Sequence, residues 1–498
     1  MLDVISILLA VGAGFLLVRV LDPVGNKQPK WAAAVFRTAL GTGVGIGLTS
    51  VVFLLLDVSG AATPAVIFSL DVAFVALLAG LWFRTRADHR AGSSSEQITP
   101  GFRWTWLLAL SFGIVLLASG IRVAQMAAAL PVGGWDAWAM WNLRAKFLAG
   151  PAGAWRYATS PLLGTSHPDY PLLLPAFIAR AWKAGGNMDA IAPVVTSLLF
   201  FFALLALLVS VVALLRGTAS ALLAGLVILS TASLLTWAPA QYADIPLAFY
   251  YLGAIALIFL DASPHGGRWP LLWAGLCASF AAWTKNEGIV FLAVIVIVFF
   301  AFNLWRHGSQ APWLRSLWLL TGAIPGVALT LWFKFFLAPV ADPLVKQGAS
   351  GLARLYDFNR YAQVAGGFFT NLWNLGRGVT HPLILLAILA ILVRWKMEEG
   401  YRLPSLVATV ALVLVFLSYC GVLLITPYGL NWQVQTSFDR LILQVWPSAL
   451  LIFFVQLRSV ADPAPASVSL KTTSTRKEPA RSKKPPSTRS PVARDKVK

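Results

Sequence analysis

Five short polar motifs interrupt an otherwise apolar chain, and each contains side chains that could bind ions or transfer protons. The motifs are Gly134–Trp138, His167–Pro171, Tyr242–Pro246, Thr284–Gly288 and Trp432–Arg440. Ionisable groups beside or inside apolar segments are energetically costly, so in membrane proteins they are candidates for function. Together the motifs predict a single active site that is assembled from several loops.

Asp136 is the candidate general base of this site. It follows Gly133 and Gly134, which break the preceding apolar run. A carboxylate at the edge of a low-dielectric region is well placed to accept a proton from a hydroxyl group. Asp is also a favoured N-cap residue, so a purely structural capping role fits the same position.

His167, Asp169 and Tyr170 stand in a short turn that contains two prolines. Proline restricts the backbone, and a stiff turn holds polar side chains in place better than a mobile loop does. These residues are candidates for substrate binding, and a polar turn without chemistry is the alternative. One His and one Asp are few for a metal site, which typically uses three or four ligands. The sequence leaves the metal unknown, with a divalent cation as one option.

Four more candidates lie at the ends of apolar segments. Asp244 could bind substrate or could only cap the helix that begins beside it. Lys285 and Glu287 could simply neutralise each other, but a lysine at an outer helix end also suits a phosphate group. Arg440, at the start of an apolar helix, needs either Asp439 or an anionic ligand as its partner.

The composition identifies the elements that must position these residues. The chain has 498 residues, of which 58% are hydrophobic and 12% charged, and its mean hydropathy is +0.74. A soluble protein carries about 25% charged residues. Apolar segments of about 20 residues cross a bilayer as helices, and about thirteen are predicted. They are 4–20, 34–56, 61–83, 104–126, 190–215, 219–237, 245–260, 270–284, 289–305, 316–337, 381–393, 404–426 and 441–457. The predicted fold is an all-α polytopic membrane protein.

The distribution of Lys and Arg predicts the orientation of these spans. Basic residues recur in every second connection, and short basic loops remain in the cytoplasm. The amino terminus is therefore expected outside and the carboxyl terminus inside. All five polar motifs fall in the opposite, extracytoplasmic set of connections, which predicts an extracytoplasmic site.

The longest external connection, residues 127–189, is expected to carry helices that lie in the membrane interface. Trp135, Trp138 and Trp141 recur at intervals of three, a spacing that predicts one indole-lined helix face in the headgroup region. Residues 458–498 are rich in Lys, Arg, Pro and Ser, and the whole chain has a formal net charge of +19. This tail is predicted to be disordered and cytoplasmic, where anionic lipids suit it better than nucleic acid does.

The motifs in their order resemble the GT-C superfamily of membrane glycosyltransferases, which use polyprenyl-phosphate sugars. The resemblance rests on GWDAWAMWNLRAKF, HPDYPLLLP, YADIPLAF and TKNEG, and it is nearest to a bacterial, lipopolysaccharide-modifying branch. The superfamily includes relatives of protein mannosyltransferases and aminoarabinose transferases. The resemblance covers roughly residues 104–457, so the spans within residues 1–103 are an addition to the core. It implies a protein of the bacterial inner membrane.

The resemblance also implies roles for the candidate residues. Asp136 would deprotonate a lipid, glycan or protein acceptor, while Lys285 and Arg440 would neutralise the phosphate of the donor. The other candidates would position the sugar and the acceptor, or a divalent cation where one is used: His167, Asp169, Tyr170, Asp244 and Glu287. Many members carry two adjacent acids in the first loop, whereas Asp136 has no acidic neighbour.

A transporter or flippase of lipid-linked sugars is the alternative function. Asp71 favours it, because this acid lies deep within a predicted span. Transporters, however, place their ionisable groups near the bilayer midplane and often contain inverted repeats. The polar motifs cluster at one surface and no repeat is evident, so sugar transfer is the preferred hypothesis.

Overall fold

The computed structural model describes residues 2–25, 27, 29–89, 104–263, 269–307, 312–339, 349–376 and 378–460. Within these ranges the chain is built from helices, and its only β-type pairing is an isolated bridge between Trp395 and Leu457. The predicted all-α membrane architecture is therefore confirmed for this part of the chain. The tail that was predicted to be disordered lies, from residue 461 onward, outside the described residues.

The amino-terminal half contains the large loop and the helices around it. Its helices are α1 (Leu2–Val20), α2 (Lys30–Val58), α3 (Pro64–His89), α4 (Thr105–Ala129), α5 (Asn142–Ala149), α6 (Leu173–Gly185), α7 (Ile191–Arg216), α8 (Thr218–Leu229) and α9 (Ala232–Trp237). A π-helical turn, Ala137–Trp141, precedes α5. The loop that was predicted to be external lies between α4 and α7 in the sequence.

The carboxyl-terminal half contains the remaining α-helices of the described residues. They are α10 (Asp244–Ala262), α11 (Pro270–Thr284), α12 (Asn286–His307), α13 (Pro312–Trp332), α14 (Ala349–Ala353), α15 (Phe358–Trp373), α16 (Pro382–Val393), α17 (Glu399–Ile425) and α18 (Leu430–Gln456). A second π-helical turn, Phe333–Leu337, extends α13. The core of the bundle lies around α10, which is buried along almost its whole length.

Fewer helices are long enough to cross a membrane than the sequence predicts. Every predicted span overlaps an apolar helix, but in the described ranges only ten meet the length requirement, with α8 and the segment after it as a possible eleventh. That pair is bent by 66° between Leu229 and Ala232. Helices α11 and α16 are about 22 and 18 Å long at 1.5 Å per residue, which is short of a bilayer core of about 30 Å.

The last helix begins earlier than predicted. Helix α18 starts at Leu430, whereas hydropathy placed the span at residue 441. The motif Trp432–Arg440 is therefore helical and does not form a loop. Hydropathy detects only the apolar part of a helix, and the first three turns of α18 are polar.

Helix α6 is embedded among the amino-terminal helices. Nearly all of its side chains are buried, and it contacts α1, α2 and α3. Its Arg180 forms an ion pair with Asp71 of α3, and its Lys183 lies 3.0 Å from Asp57 of α2. The loop is thus anchored to α2 and α3 by two ion pairs.

The three tryptophans of the loop do not share one face, contrary to prediction. Trp135 and Trp138 are about half exposed, but Trp141 is buried and stacks on Tyr170. The cause is the π-helical turn Ala137–Trp141, in which hydrogen bonds span five residues and the angular spacing differs from that of an α-helix. Only the first two indoles therefore remain available to an interface.

Candidate active site

Charged side chains from three helix ends and from the interior of α18 meet at one place. Asp244 is the first residue of α10, and Lys285 joins the end of α11 to the start of α12. Arg440 projects from α18, and Asp136 directly precedes the π-helical turn after α4. Helix geometry thus brings together residues that are up to 304 positions apart in the sequence.

These residues form a continuous row of alternating charge. Arg440 Nη1 lies 2.5 Å from Asp136 Oδ2 and 3.6 Å from Asp244 Oδ2. Lys285 Nζ lies 3.2 Å from Asp244 Oδ1 and 2.8 Å from Glu287 Oε1. We call these five residues the Arg440 network. It contains three carboxylates and two cations, and each cation is shared between two carboxylates.

The centre of the network is buried and its two ends are accessible. The Asp244 side chain is 3% exposed, whereas those of Asp136 and Glu287 are 20% and 19% exposed. Gln444, one turn beyond Arg440 on α18, donates to Asp244 Oδ1 at 2.6 Å. Burial opposes the charged form of Lys285, but the Asp244 and Glu287 carboxylates outweigh it and raise its pKa. The two carboxylates therefore favour the charged form of Lys285.

A second cluster adjoins the network. Asn286 Nδ2 donates to Asp169 Oδ2 at 2.8 Å, and Lys334 Nζ lies 2.8 Å from Asn286 Oδ1. Lys334 also donates to the Asp169 carbonyl at 2.6 Å and belongs to the π-helical turn after α13. We call Asp169, Asn286 and Lys334 the Lys334 group. Since Asn286 stands between Lys285 and Glu287 in the chain, the two clusters meet at one turn.

The turn that contains His167, Asp169 and Tyr170 is held by a buried arginine. Arg144 donates to the carbonyl groups of His167, Pro168 and Tyr170. Burial lowers the pKa of Arg144 to about 9, which still leaves it cationic at neutral pH. His167 adopts a left-handed backbone conformation with φ of 46°, which is uncommon outside glycine.

Of the predicted residues in this turn, only Asp169 joins the charged clusters. The His167 ring stacks on Tyr170 at 4.7 Å, and Tyr170 stacks in turn on Trp141 at 5.9 Å. His167 and Tyr170 therefore lie in an aromatic environment next to Asp169. His167 has no ion pair within the described ranges.

The aromatic rings of Tyr242 and Trp237 contact Arg440. Its guanidinium lies 4.9 Å from the Tyr242 ring centre and 5.5 Å from that of Trp237, and these two rings stack on each other. The Tyr242 hydroxyl is hydrogen-bonded to the backbone of Asp136, and burial together with the Asp136 carboxylate raises its pKa. A Cβ atom at Gly134 would lie 2.6 Å from this hydroxyl, so the position requires glycine.

The structure decides the alternatives that the sequence left open. Asp136 occupies the N-cap position of the π-helical turn, but its side chain makes no capping hydrogen bond, and the N-cap of α10 is Ala243. Capping therefore does not account for either carboxylate. Asp439 accepts from Trp237 Nε1 at 2.6 Å, while Arg440 forms ion pairs with Asp136 and Asp244. Lys285 and Glu287 do neutralise each other, but Lys285 contacts Asp244 as well.

Several buried polar atoms of the site have no hydrogen-bond partner in the protein. They are Asp169 Oδ1, Glu287 Oε2, Arg440 Nε and Gln444 Oε1. Buried polar atoms in folded proteins are nearly always hydrogen-bonded, so these atoms have capacity for a ligand or for water. Three of the four are acceptors, which suits the hydroxyl groups of a sugar.

The part of the chain that the structure describes contains no ligand set for the candidate metal ion. No three His, Cys, Asp or Glu side chains are grouped there in a way that could hold a metal ion. The acids of the Arg440 network are instead separated from one another by Arg440 and Lys285.

Three polar residues of the site were not among the predicted site residues: Gln444 and Lys334 stand inside predicted spans, and Asn286 lies in the motif Thr284–Gly288 but was not singled out. Gln444 is fully buried within α18, Lys334 follows the apolar part of α13, and Asn286 begins α12. A polar side chain in an otherwise apolar segment was the available signal. It gave no indication of the partners, which come from distant parts of the chain.

Comparison with known proteins assigns the chain to no family. No family model matches it, and no curated protein or solved structure does so either. The chemistry of the site has to be inferred from the positions and charges of its side chains.

Proposed function

We propose that the protein transfers a sugar from a polyprenyl-phosphate donor to a hydroxyl group of a lipid, glycan or protein acceptor. The reaction takes place at the extracytoplasmic face of the bacterial inner membrane. The observation that carries the proposal is the Arg440 network, in which Asp136 and two cations meet beside the first residue of α10. A lipid-linked phosphate reaches such a position from the bilayer.

The proposed reaction is a single displacement with inversion. The acceptor oxygen attacks the anomeric carbon, the bond from that carbon to the phosphate oxygen breaks, and Asp136 takes the hydroxyl proton. Polyprenyl phosphate leaves with the electron pair of the broken bond. Arg440 and Lys285 stabilise the negative charge that develops on this leaving group.

Arg440 couples binding of the donor to release of Asp136, the general base. In the structure Arg440 holds the Asp136 carboxylate, so a donor phosphate has to compete with Asp136 for the same guanidinium. Asp244 stays in place because Lys285 and Gln444 also bind it. Binding of the phosphate therefore releases Asp136 at the moment when the acceptor needs a base.

The Lys334 group and its neighbours provide contacts for the sugar. Asp169 Oδ1 and Glu287 Oε2 are acceptors without a partner in the protein, and they flank the turn that carries Lys285. The stacked rings of Tyr170 and His167 lie beside Asp169. We assign these four side chains to binding of the sugar and the acceptor.

Two observations favour transfer over transport. Four of the five residues of the Arg440 network lie at helix ends, while transporters place their sites near the bilayer midplane. Asp71, the acid that favoured transport, is occupied by an ion pair with Arg180 of α6. Its burial thus has a structural explanation that requires no transported ion.

The test is incubation of the purified protein in lipid nanodiscs with radiolabelled polyprenyl-phosphate hexoses and pentoses and candidate acceptors. We expect labelled acceptor together with released polyprenyl phosphate. Asp136→Asn should reduce transfer about a thousandfold, because general base catalysis contributes roughly 10²–10⁴. The same variant should bind the donor at least as tightly as the wild type, because the carboxylate that competes for Arg440 has lost its charge.

Asp189→Asn is the matched control, since Asp189 lies in the same loop but outside both clusters. It should leave transfer unchanged. Full transfer by Asp136→Asn would exclude Asp136 as the base. Movement of intact donor between leaflets of proteoliposomes, without release of polyprenyl phosphate, would establish transport instead.

A further inference from the structure

A cavity with both charged and apolar lining lies at the opposite end of α10 and α12 from the candidate site. It is formed by the carboxyl-terminal ends of α10 and α12 and the amino-terminal parts of α13 and α17, and its volume is about 360 Å³. Asp244 and Ala262 mark the two ends of α10. The 19 residues of α10 span about 28 Å at 1.5 Å per residue, so the cavity is close to one bilayer core away from the Arg440 network.

The cavity carries a net positive charge. Arg306 and Arg315 line it, and among the described residues Asp261 is the only acid that does so. Asp261 forms an ion pair with Arg315, while Arg306 has no ion-pair partner among the residues that the structure describes. One guanidinium is therefore free to bind an anion at this position.

A buried acceptor faces the same cavity. Asn303 is 1% exposed and lines the cavity, and its Nδ2 donates to the Phe299 carbonyl at 2.7 Å. Its Oδ1 has no hydrogen-bond partner in the protein. An inorganic anion would satisfy Arg306 but would leave this acceptor unpaired, whereas a ligand that carries both an anion and hydroxyl groups satisfies both.

The surroundings of the cavity fit a lipid. Its remaining wall is apolar and is formed mainly by Ile258, Phe299, Leu403 and Val407. Exposed indoles at the same helix ends, those of Trp305, Trp313 and Trp318, are typical of the membrane–water interface. Basic pockets between membrane helices commonly bind lipid headgroups.

We infer that this cavity binds an anionic glycerophospholipid whose headgroup carries hydroxyl groups, such as phosphatidylglycerol. The phosphate contacts Arg306 and Arg315, a headgroup hydroxyl donates to Asn303 Oδ1, and an acyl chain lies on the apolar wall. The inference is independent of sugar transfer, because it uses no residue of the Arg440 network or the Lys334 group.

The experiment measures binding of phosphatidylglycerol to the delipidated full-length protein by native mass spectrometry and by the shift in melting temperature. Phosphatidylethanolamine and inorganic phosphate are the comparison ligands. We expect saturable binding of phosphatidylglycerol, with weaker binding of the other two. Arg306→Gln should weaken it about fivefold, the effect of one cation at a membrane surface.

Arg402→Gln is the matched control, because Arg402 is exposed on α17 beside the cavity but does not line it. It should bind phosphatidylglycerol as the wild type does. Asn303→Leu, which keeps both arginines, should reduce the preference for phosphatidylglycerol over a phospholipid without headgroup hydroxyls.

Three results would overturn the inference. The first is unchanged binding in Arg306→Gln, and the second is an equal loss in Arg402→Gln, which would indicate diffuse surface attraction. The third is equally tight binding of inorganic phosphate, which would identify a site for a free anion.

Discussion

Two regions of the molecule bury charge, and they do so in different ways. Around α6, Arg180 is paired with Asp71 and Lys183 with Asp57, and the spare donors of both cations go to backbone carbonyl groups. In the Arg440 network each cation is shared between two carboxylates. The first region has one partner for each charge, and the second has more carboxylates than cations.

The difference decides what each region can do. Removing one member of an exclusive buried pair leaves an uncompensated charge, which is strongly destabilising. In the network a ligand can replace one carboxylate at Arg440 while Asp244 still compensates the cation. Exclusive pairs are therefore suited to holding helices together, and shared ones to exchanging partners with a substrate.

The strongest effect is expected for Arg180→Met. This change leaves Asp71 buried without its cation and should lower the free energy of unfolding by about 3–5 kcal/mol. The double variant Asp71→Leu/Arg180→Met, which removes both charges, should recover most of that loss. Thermal unfolding in detergent measures both. Equal destabilisation by the single and double variants would contradict an exclusive pair.

Lys285→Ala should produce a smaller effect of another kind. Asp244 keeps Arg440 and Gln444, and Glu287, which loses its cation, is partly exposed, so the melting temperature should fall less than in Arg180→Met. Loss of a cation should weaken donor binding about tenfold. Titration with polyprenyl-phosphate sugar provides the affinity. Lys183→Ala, a lysine from the exclusive pairs, is the control and should lower stability without changing donor affinity. Unchanged donor affinity in Lys285→Ala would argue against phosphate contact there.

The smallest effect is expected for Tyr242→Phe. The ring that supports Arg440 remains, and only the hydroxyl next to the Asp136 backbone is lost, so transfer should fall about fivefold. Burial raises the pKa of this phenol, which therefore stays protonated, and the ratio of variant to wild-type rates should be constant between about pH 6 and 9. A ratio that varies across this range would assign the hydroxyl a titrating role.

The sequence predicted the fold through hydropathy, which responds to local composition. Every predicted span coincides with an apolar helix, but the start of α18 was missed because its first turns are polar. The bend between α8 and α9 was missed as well, although Ser230, Thr231 and Ser233 interrupt the apolar run at this place. Lengths and bends of helices depend on tertiary contacts that composition does not contain.

The sequence identified the residues of the candidate site better than it identified which of them form ion pairs with each other. Asp136, Asp244, Lys285, Glu287 and Arg440 were identified as polar exceptions at the ends of apolar segments, and the structure brings them together. The sequence could not show that Arg440 pairs with Asp136 and not with Asp439, because Asp136 is distant in the chain. Asp439 is adjacent in the chain, but on α18 its side chain turns toward Trp237.

The two π-helical turns adjoin both charged clusters, at Ala137–Trp141 beside Asp136 and at Phe333–Leu337 around Lys334. Such a turn holds one residue more than an α-helical turn and shifts the rotational phase of the neighbouring helix. Loss of a single residue at either place would turn Lys334 or Asp136 away by about 100°, one α-helical step. The spacing of these segments is therefore constrained in length as tightly as in residue type.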